Sequence, residues 1–244
     1  MHHALLRYRR HQLSESDLNL AQSLSFPQML SIWEQQVYAM GEWLMHCKEF
    51  AALPLHDKMA IFKISCAIWR QFERTTMSID LFGWRAVTKK LLAVSSKIVI
   101  VNDETMRYDD MSRVTGCDPS YVKSLFDPFA GRIIEEVAKT CLELAISPTE
   151  VTYILCTLVW HVEGKSVNPA TLLIAESYRE MISDDLHNYY MRTLKTPNYA
   201  ARLIRIMSIV HCIENIYYEK SKVAEFARIF DVVNIDVSER GLFN

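Results

Sequence analysis

The residues in this sequence that could bind a metal ion or catalyse a reaction are few. The clearest group is Asp184-Asp185-Leu186-His187-Asn188, whose two adjacent carboxylates could hold a magnesium ion against a diphosphate. The fifth position is Asn188 rather than an acid, and no second acidic motif follows. An acidic, solvent-facing helix surface is therefore the favoured interpretation.

Other catalytic and metal-binding patterns are missing from the sequence. The GxSxG, HExxH, P-loop and dinucleotide patterns do not occur. The eight histidines never fall four residues apart, which removes the helical histidine pair that zinc binds. His46 and His211 are each followed by a cysteine, but neighbouring helical side chains point about 100° apart and do not face one ion. We therefore expect no catalytic residue, no metal and no cofactor.

The composition is that of a globular and mostly helical protein. Of the 244 residues, 50% are hydrophobic and 23% are charged, whereas only 6 are glycine and 7 are proline. So few glycines and prolines do not suit a protein of many strands and tight turns. The 27 basic and 29 acidic side chains give a net charge of −2, so the basic surface of a nucleic-acid-binding domain is not expected.

The cysteines and the hydropathy pattern favour an intracellular protein without a membrane span. The six cysteines include no CxxC pair, which argues against a zinc ribbon or a small disulfide scaffold. No apolar run approaches the ~18–20 residues of a membrane-spanning helix. The basic start, MHHALLRYRRHQ, is compatible with a transit peptide, but a mobile N-terminal segment over residues 1–21 is the favoured prediction.

Two long helices dominate the first third of the chain. Apolar residues spaced by three and four predict a helix over Phe26–Phe50, with Pro27 in its first turn and Gln36 as a polar exception on the stripe. Pro54 separates it from a second helix, Asp57–Ser78, which we expect Asp57 to cap. This second helix is apolar over much of its circumference, which is typical of the middle layer of a layered fold.

A single β-hairpin is predicted between these helices and the rest of the chain. Ser95–Val101 is rich in β-branched residues, and a turn at Asn102–Glu104 leads to Met106–Tyr108. Helical patterning then returns in the ranges Asp118–Ala145, Ser147–Val162, Asn168–Lys195 and Asn198–Asp231. The second of these opens with a capping box, Ser147-Pro148-Thr149-Glu150. No glycine-rich linker interrupts the chain, so one domain is expected.

The stretch EWLMHCKEFAALPLHDK, residues 42–58, resembles the signature of nuclear hormone receptor ligand-binding domains. The residues in register with that signature are Trp43, Phe50, Leu53 and Asp57. Arg70–Ser78 is similar to the divergent receptors that are expanded in nematodes. A second match, to the ninth helix of the family, is formed by Arg179-Glu180, Leu186 and Tyr189.

The resemblance implies a fold and a domain organisation. The fold is all-α, a three-layer antiparallel helical sandwich with one small β-hairpin, and it occupies residues 22–244. Its first helix is weak in this sequence and is placed at Leu18–Ser25. The two four-cysteine zinc modules with which full receptors read DNA are not present in the sequence, so no direct nucleic-acid contact by this chain is expected.

The resemblance also implies a binding site rather than a catalytic one, because family members enclose an apolar cavity for a small lipophilic ligand. The residues implied to bind the ligand are Met29, Ile32, Trp33, Gln36, Arg70 and Arg74. Gln36 would orient the ligand through a hydrogen bond, and Arg70 or Arg74 would pair with an acidic head.

Each of these polar residues has a second interpretation. Gln36 is explained equally well as an exposed helix residue, and a salt bridge to an acid such as Glu73 is the somewhat better explanation of either arginine. Bulky side chains at Trp33, Trp69 and Phe72 could also fill the cavity and leave no room for a ligand.

A second implied site is a groove for a coregulator helix. Family members bind a short LxxLL helix beside a mobile C-terminal helix, with a cation and an acid at its two ends. The residues implied for this groove are Met45, Lys48, Met59 and Lys63, although each lysine is also explained as a solvated surface charge. The segment Val237–Asn244 departs from the family pattern, because it lacks the apolar and acidic spacing of an activation helix.

Two functional hypotheses follow from the resemblance. The first is a ligand-binding domain of a nuclear receptor that regulates transcription in the nucleus. The second is a ligand-independent module of the same fold, forming a homo- or heterodimer through Leu203, Met207 and Val210, which ordinary core packing also explains. A remote alternative is an all-helical enzyme similar to terpenoid synthases, in which Asp184 would bind magnesium.

Overall fold

The computed structural model describes residues 1–10, 18–102, 105–110 and 118–229. Its helices are α1 (His2–Arg10), α2 (Phe26–Met45), α3 (Lys48–Ala52), α4 (Leu55–Phe82), α5 (Arg85–Thr88), α6 (Pro119–Arg132), α7 (Lys139–Leu144), α8 (Pro148–Trp160), α9 (Pro169–Asn188) and α10 (Ala200–Ile229). Two π-helical segments, Ile133–Ala138 and Tyr189–Thr193, follow α6 and α9. The strands are β1 (Asn19–Ala21), β2 (Ser23–Ser25), β3 (Leu91–Ala93), β4 (Ile98–Val101) and β5 (Arg107–Asp109).

The helices form three layers, as predicted. Helices α1 to α3 make one outer layer, α4, α8 and α9 make the middle layer, and α6, α7 and α10 make the other outer layer. Helix α4 contacts α2 on one side and α10 on the other, while α8 contacts α1 and α10 in the same way. Within the described ranges, no helix is both long and apolar enough to cross a bilayer.

A chain of aromatic rings connects the first layer to the middle one. Trp43 and Phe50 are 2% and 4% exposed, so both rings of the sequence signature point inward as the resemblance requires. The Trp43 ring lies 5.7 Å from that of Trp69, and Phe50 meets Trp160 edge-on at 6.5 Å. Trp160 in turn stacks on Tyr178 of α9 at 4.7 Å. Such ring pairs add to the free energy of burial.

The first long helix is shorter than its apolar pattern predicts. Helix α2 ends at Met45, Cys47 takes an extended backbone conformation, and the short α3 carries Phe50 in a new direction. This break brings Phe50 to Trp160 of α8. Because a helical spacing resumes directly after the break, periodicity alone could not reveal it. Pro27 does lie in the first turn of α2, and the N-cap is Ser25.

Asp57 does not cap α4, because the N-cap of that helix is Pro54. Asp57 is instead fully buried in the first turn, and its carboxylate accepts hydrogen bonds from the Thr171 hydroxyl at 2.6 Å and the Asn168 side-chain amide at 2.7 Å. The backbone N–H of Asn168 also donates to it at 3.3 Å. The negative charge of Asp57 therefore lies at the N-terminus of α9, where the helix dipole favours it.

Glu150 fixes a second junction of the middle layer. The predicted capping box is present, since the Glu150 carboxylate accepts from the Ser147 N–H and the Ser147 hydroxyl accepts from the Glu150 N–H. The buried carboxylate is also ion-paired with Arg202 of α10 at 2.5 Å and accepts from the Tyr190 hydroxyl. Burial opposes ionisation, but these donors lower the pKa of Glu150 to about 2.

The strands pair differently from the predicted hairpin. Strand β4 lies antiparallel to β3 rather than to β5, and it pairs on its other side with β1 in parallel. Strand β5 pairs in parallel with β2. The predicted helix at Leu18–Ser25 is therefore a pair of strands, which are too short for periodicity to distinguish from a helix turn.

The first described residues form helix α1, whereas a mobile segment was predicted over residues 1–21, of which residues 11–17 lie outside the described part of the chain. Helix α1 buries Leu5 completely, and Tyr8 accepts a hydrogen bond from Arg74. Arg9 is ion-paired with Glu73 and Asp80 of α4. Helix α1 holds no acidic residue, and its ion-pair partners lie on α4, more than sixty residues further along the chain, which local sequence does not reveal. The domain start at residue 22 stays a prediction.

The buried carboxylate of Asp57 predicts a loss of stability in acid. Its pKa is lowered from 3.8 to about 2, first by the Thr171 hydroxyl and against the effect of burial. Since the unfolded chain has the ordinary pKa, this contribution is complete above about pH 4 and is lost as the pH falls through about 2. We expect Asp57→Asn to be less stable than the wild type at neutral pH, and the difference in free energy of unfolding to shrink in that acid range.

Urea unfolding followed by circular dichroism across that pH range measures this difference. Asp184→Asn is the matched control, because Asp184 is an exposed carboxylate on α9 and its removal leaves the acid profile unchanged. A difference between the wild type and Asp57→Asn that does not vary with pH would contradict the assignment.

Candidate functional site

An apolar cluster separate from the main core lies below the N-terminal half of α2. Its buried members are Leu24, Met29, Ile32, Ile100 and Met106, and the strands β2 and β4 supply two of them. Two of the predicted ligand-binding residues, Met29 and Ile32, are therefore in this cluster, and the half-buried Trp33 packs against it. We refer to this group as the lower cluster.

An open cavity of about 430 Å³ adjoins the lower cluster. Its lining residues are Leu20, Ala21, Gln22, Val101, Thr105, Met106 and Arg107. Met106 belongs to both the cavity wall and the cluster, and Ala21 packs against the cluster. The volume is within the range of small-molecule sites, roughly 300–1,000 Å³. The sequence did not identify this opening, because Leu20, Ala21 and Gln22 were placed in a helix and the predicted strands pair differently in the structure.

Gln36 is buried and has an internal partner. It is only 6% exposed, so its interpretation as a surface residue is wrong. Its side-chain amide donates to the backbone carbonyl of Val94 at 2.7 Å, at the end of β3. The hydrogen bond ties α2 to the strands that carry the lower cluster. The role of Gln36 toward a ligand stays a prediction.

Arg70 extends from α4 toward the same region. Its guanidinium lies over the Trp33 ring, 5.4 Å from the centroid. The Nη1 atom is shielded from solvent and has no hydrogen-bond partner among the residues that the structure describes. Burial lowers the pKa of Arg70, against the effect of the neighbouring Cys66 and Tyr217 side chains.

A second cation, Lys220 of α10, lies near Arg70. Its ammonium group is 5.9 Å from the centroid of the Phe126 ring of α6. Burial, together with the charge of Arg70, lowers the pKa of Lys220 to about 8. The sequence analysis missed Lys220, although it was detectable as a cation four residues after Ile216 on the buried stripe of α10.

Arg74, by contrast, has partners inside the protein. Its Nε donates to Glu73 at 2.6 Å and its Nη2 donates to the Tyr8 hydroxyl at 2.7 Å. The side chain is thus used between α1 and α4, where Glu73 is fully buried. The salt bridge that was the alternative explanation of Arg74 is present, and a ligand-binding role of this residue stays a prediction.

The predicted coregulator-groove residues lie at the end of α2 and the start of α4. Met45 is 55% exposed and Met59 is 41% exposed. Lys48 is exposed, and its ammonium group is 3.7 Å from the carboxylate of Glu49. Lys63 is half-buried. Leu55, which the sequence analysis did not single out, is 73% exposed one turn before Met59. Leu55, Met59 and Lys63 thus share one face of α4.

The three residues predicted for dimerisation on α10 differ in exposure. Met207 is 39% exposed and Leu203 is half-buried, but Val210 is 3% exposed and lies in the core. Val210 therefore cannot contribute to a surface stripe. The neighbouring Ile204, which the sequence analysis did not single out, is 70% exposed.

The acidic pair Asp184 and Asp185 lies on the exposed face of α9. Among the described residues, no group of three or more histidine, cysteine or acidic side chains is arranged to hold a metal ion. The acidic-surface interpretation of this pair agrees with its position.

Comparison with known proteins identifies the family. The sequence model of the family described as the ligand-binding domain of nuclear hormone receptors matches residues 14–230 of this chain. The chain belongs to this family. Members regulate transcription, are typically nuclear and are generally not enzymes.

Relatives of the chain include nematode receptors, as the resemblance predicted. Nuclear hormone receptor family member nhr-213 of Caenorhabditis elegans is 33% identical over 242 residues, which cover 99% of this chain and 58% of that protein. Family member nhr-54 is 32% identical, with 92% and 54% covered. The chain thus spans little more than half the length of these two relatives.

The fold agrees with a solved structure of the same class. The Ultraspiracle ligand binding domain from Drosophila melanogaster has a TM-score of 0.65, with 99% of this chain and 91% of that chain covered. The sequence identity is 14%, so this similarity supports the fold alone. It confirms the predicted three-layer helical architecture.

The buried hydrogen bond of Gln36 gives a prediction for this site. Gln36→Leu leaves the Val94 carbonyl without its side-chain donor, and we expect a loss of about 1–3 kcal/mol in the free energy of unfolding. Gln35→Leu is the matched control, because Gln35 directly precedes Gln36 in α2 and is exposed. Urea unfolding of the two variants measures the difference, and equal stabilities would contradict a structural role for Gln36.

Proposed function

We propose that this chain is the ligand-controlled regulatory domain of a nuclear-receptor-type transcription regulator that acts in the nucleus. It binds a small lipophilic molecule in the region of the lower cluster and a coregulator helix on the exposed face of α4. The family and fold support the class of function. The exposed apolar residues Met45, Leu55 and Met59 are the observation that carries the coregulator part.

The face of α4 has the features that an amphipathic helix needs. Leu55 and Met59 are one helical turn apart, so their side chains form a continuous apolar strip that water covers in the isolated domain. An amphipathic partner helix covers such a strip with apolar residues at its own spacings of three and four. Lys48, which is exposed and ion-paired with Glu49, is the cation that the resemblance implies for this groove, and a cation favours the negative C-terminal end of a helix.

The lower cluster and its cavity support the ligand part. The cluster residues come from α2, β2, β4 and the segment before β5, so a molecule bound there would contact several elements at once. The adjoining cavity has the volume of a small-molecule site. The main core is filled by its own side chains, including the aromatic rings of Trp69 and Phe72. We therefore place the ligand at the end of the domain that holds the lower cluster.

Peptide binding tests the coregulator part. A fluorescein-labelled LxxLL peptide should bind the purified domain, and the same peptide with its leucines replaced by alanine should not. Met59→Glu places a charge within the strip, and we expect it to weaken binding at least about tenfold in fluorescence polarisation.

Met181→Glu is the matched control for this experiment. Met181 is 39% exposed on α9, close to the 41% of Met59, but it lies on a different helix. Binding that is unchanged by Met59→Glu, or weakened equally by both variants, would contradict the assignment of the groove.

Dimerisation through α10 is the second candidate function, and the exposure of Ile204 and Met207 favours it. We expect a concentration-dependent dimer in sedimentation velocity, and Ile204→Glu should give a monomer because it would bury an unpaired charge. Tyr38→Glu is the control, since Tyr38 is also 70% exposed but lies on α2. A wild-type protein that stays monomeric at high concentration would exclude this candidate.

A further inference from the structure

Two hydroxyl side chains in this sequence directly precede a proline, at Ser147-Pro148 and at Thr196-Pro197. The structure places them in opposite settings. Ser147 is part of a helix cap, whereas Thr196 lies on the exposed connection between α9 and α10. We propose that Thr196 is a phosphorylation site for a proline-directed protein kinase, an enzyme that modifies a serine or threonine followed by proline. The site is separate from both the lower cluster and the exposed face of α4.

The segment that carries Thr196 is accessible over its whole length. Every residue from 191 to 198 is exposed. Lys195 has a left-handed backbone with a φ of 54°, and the Thr196 N–H donates to the Tyr190 carbonyl at 2.9 Å. This combination ends a helix in the way a Schellman motif does. The chain therefore leaves the helix at Thr196, where an enzyme can approach it from solvent.

The backbone and the hydroxyl of Thr196 suit a kinase substrate. The proline that follows excludes the helical region for Thr196 and favours an extended conformation. Its hydroxyl donates to the nearby Leu194 carbonyl at 3.2 Å, in an exposed contact that water can replace. No rearrangement of the core is needed to bring this oxygen to a bound nucleotide.

The transfer uses ATP and Mg²⁺, both of which the kinase supplies. The Thr196 Oγ1 atom forms a bond to the γ-phosphorus, the bond from that phosphorus to the β–γ bridging oxygen breaks, and ADP leaves. The hydroxyl proton passes to the catalytic carboxylate of the kinase. The product is a phosphothreonine.

Ser147 has the same dipeptide but is protected by the fold. Its hydroxyl accepts from the Glu150 N–H at 3.3 Å, and its own N–H donates to the Glu150 carboxylate at 2.8 Å. A phosphate on Ser147 would break this capping box and place a second anion against a buried, ionised carboxylate. We therefore expect the folded domain to be modified at Thr196 alone.

The charges around Thr196 allow the modification without loss of stability. The segment Met191–Asn198 contains two cations, Arg192 and Lys195, and no acid. A phosphothreonine carries about −1.5 to −2 charges at pH 7, so it cancels most of this positive charge. Helix α10 begins at Ala200, four residues further on, and the positive end of its dipole also favours an anion nearby. Phosphorylation thus changes the charge of this surface and leaves the fold intact.

The first test treats the purified chain with a mitogen-activated protein kinase, ATP and Mg²⁺. Tandem mass spectrometry should find one phosphate on Thr196 and none on Ser147. Peptides of residues 143–152 and 191–201 should both be modified, because no fold protects either hydroxyl in them. Absence of phosphate from Thr196 in the folded chain, or equal rates at Thr196 and Ser147, would overturn the proposal.

Variants test whether Thr196 and the proline are what the kinase recognises. Thr196→Val should abolish incorporation, and Thr196→Ser should retain it. Pro197→Ala should lower the rate at least about tenfold, since the kinase then loses the side chain that it selects. A rate that Pro197→Ala leaves unchanged would show that the dipeptide is not recognised.

The melting temperature tests the surface setting of the site. We expect the phosphorylated chain to melt within about 2 °C of the unmodified chain. The control is Ser147→Asp, which puts a charge into the capping box beside Glu150 and should lower the melting temperature. A fall on phosphorylation as large as that of Ser147→Asp would contradict a surface site at Thr196.

Discussion

Helix α4 lies between two other layers of helices, so each charged group on it must find a partner inside the protein or remain uncompensated. Asp57 holds the N-terminus of α9, and Glu73 holds Arg9 of α1 together with Arg74. These contacts join layers that are distant in sequence. They set the position of α4, from which Arg70 reaches the interior and Leu55 reaches the surface. The positions of Arg70 and Leu55 therefore follow from the ion pairs and hydrogen bonds that α4 makes with its neighbours.

Much of the helical architecture could be predicted from local sequence. The capping box at Ser147 and Glu150 has two mutually dependent hydrogen bonds, and it marks the helix start correctly. The break after Met45 and the role of Asp57 could not be predicted in this way. Both depend on tertiary partners, Trp160 for the first and Thr171 for the second, which lie over a hundred residues away.

The candidate site was predictable to a smaller degree. The resemblance placed Met29, Ile32 and Arg70 in one region, and the structure brings them to the same end of the domain. It could not separate Arg70 from Arg74, because their partners are set by the fold: Arg74 is paired with Glu73 and also donates to Tyr8 of α1, whereas Arg70 lies over Trp33 of α2. Lys220 was overlooked for a related reason: a lysine on a long helix is usually solvated, and burial is decided by packing against α4 and α6.

Helix α2 connects the two ends of the domain mechanically. It begins at Ser25, where β2 ends, and runs without interruption for 20 residues to the exposed Met45. At 1.5 Å per residue it is a rod about 30 Å long, with Met29 near one end. Gly41 lies where this rod contacts α4, and a Cβ there would be 3.8 Å from the Phe62 ring, an ordinary van der Waals distance. Because α2 is one uninterrupted helix, a tilt about its contact with α4 that admitted a molecule beside Met29 would also move Met45, in the opposite direction.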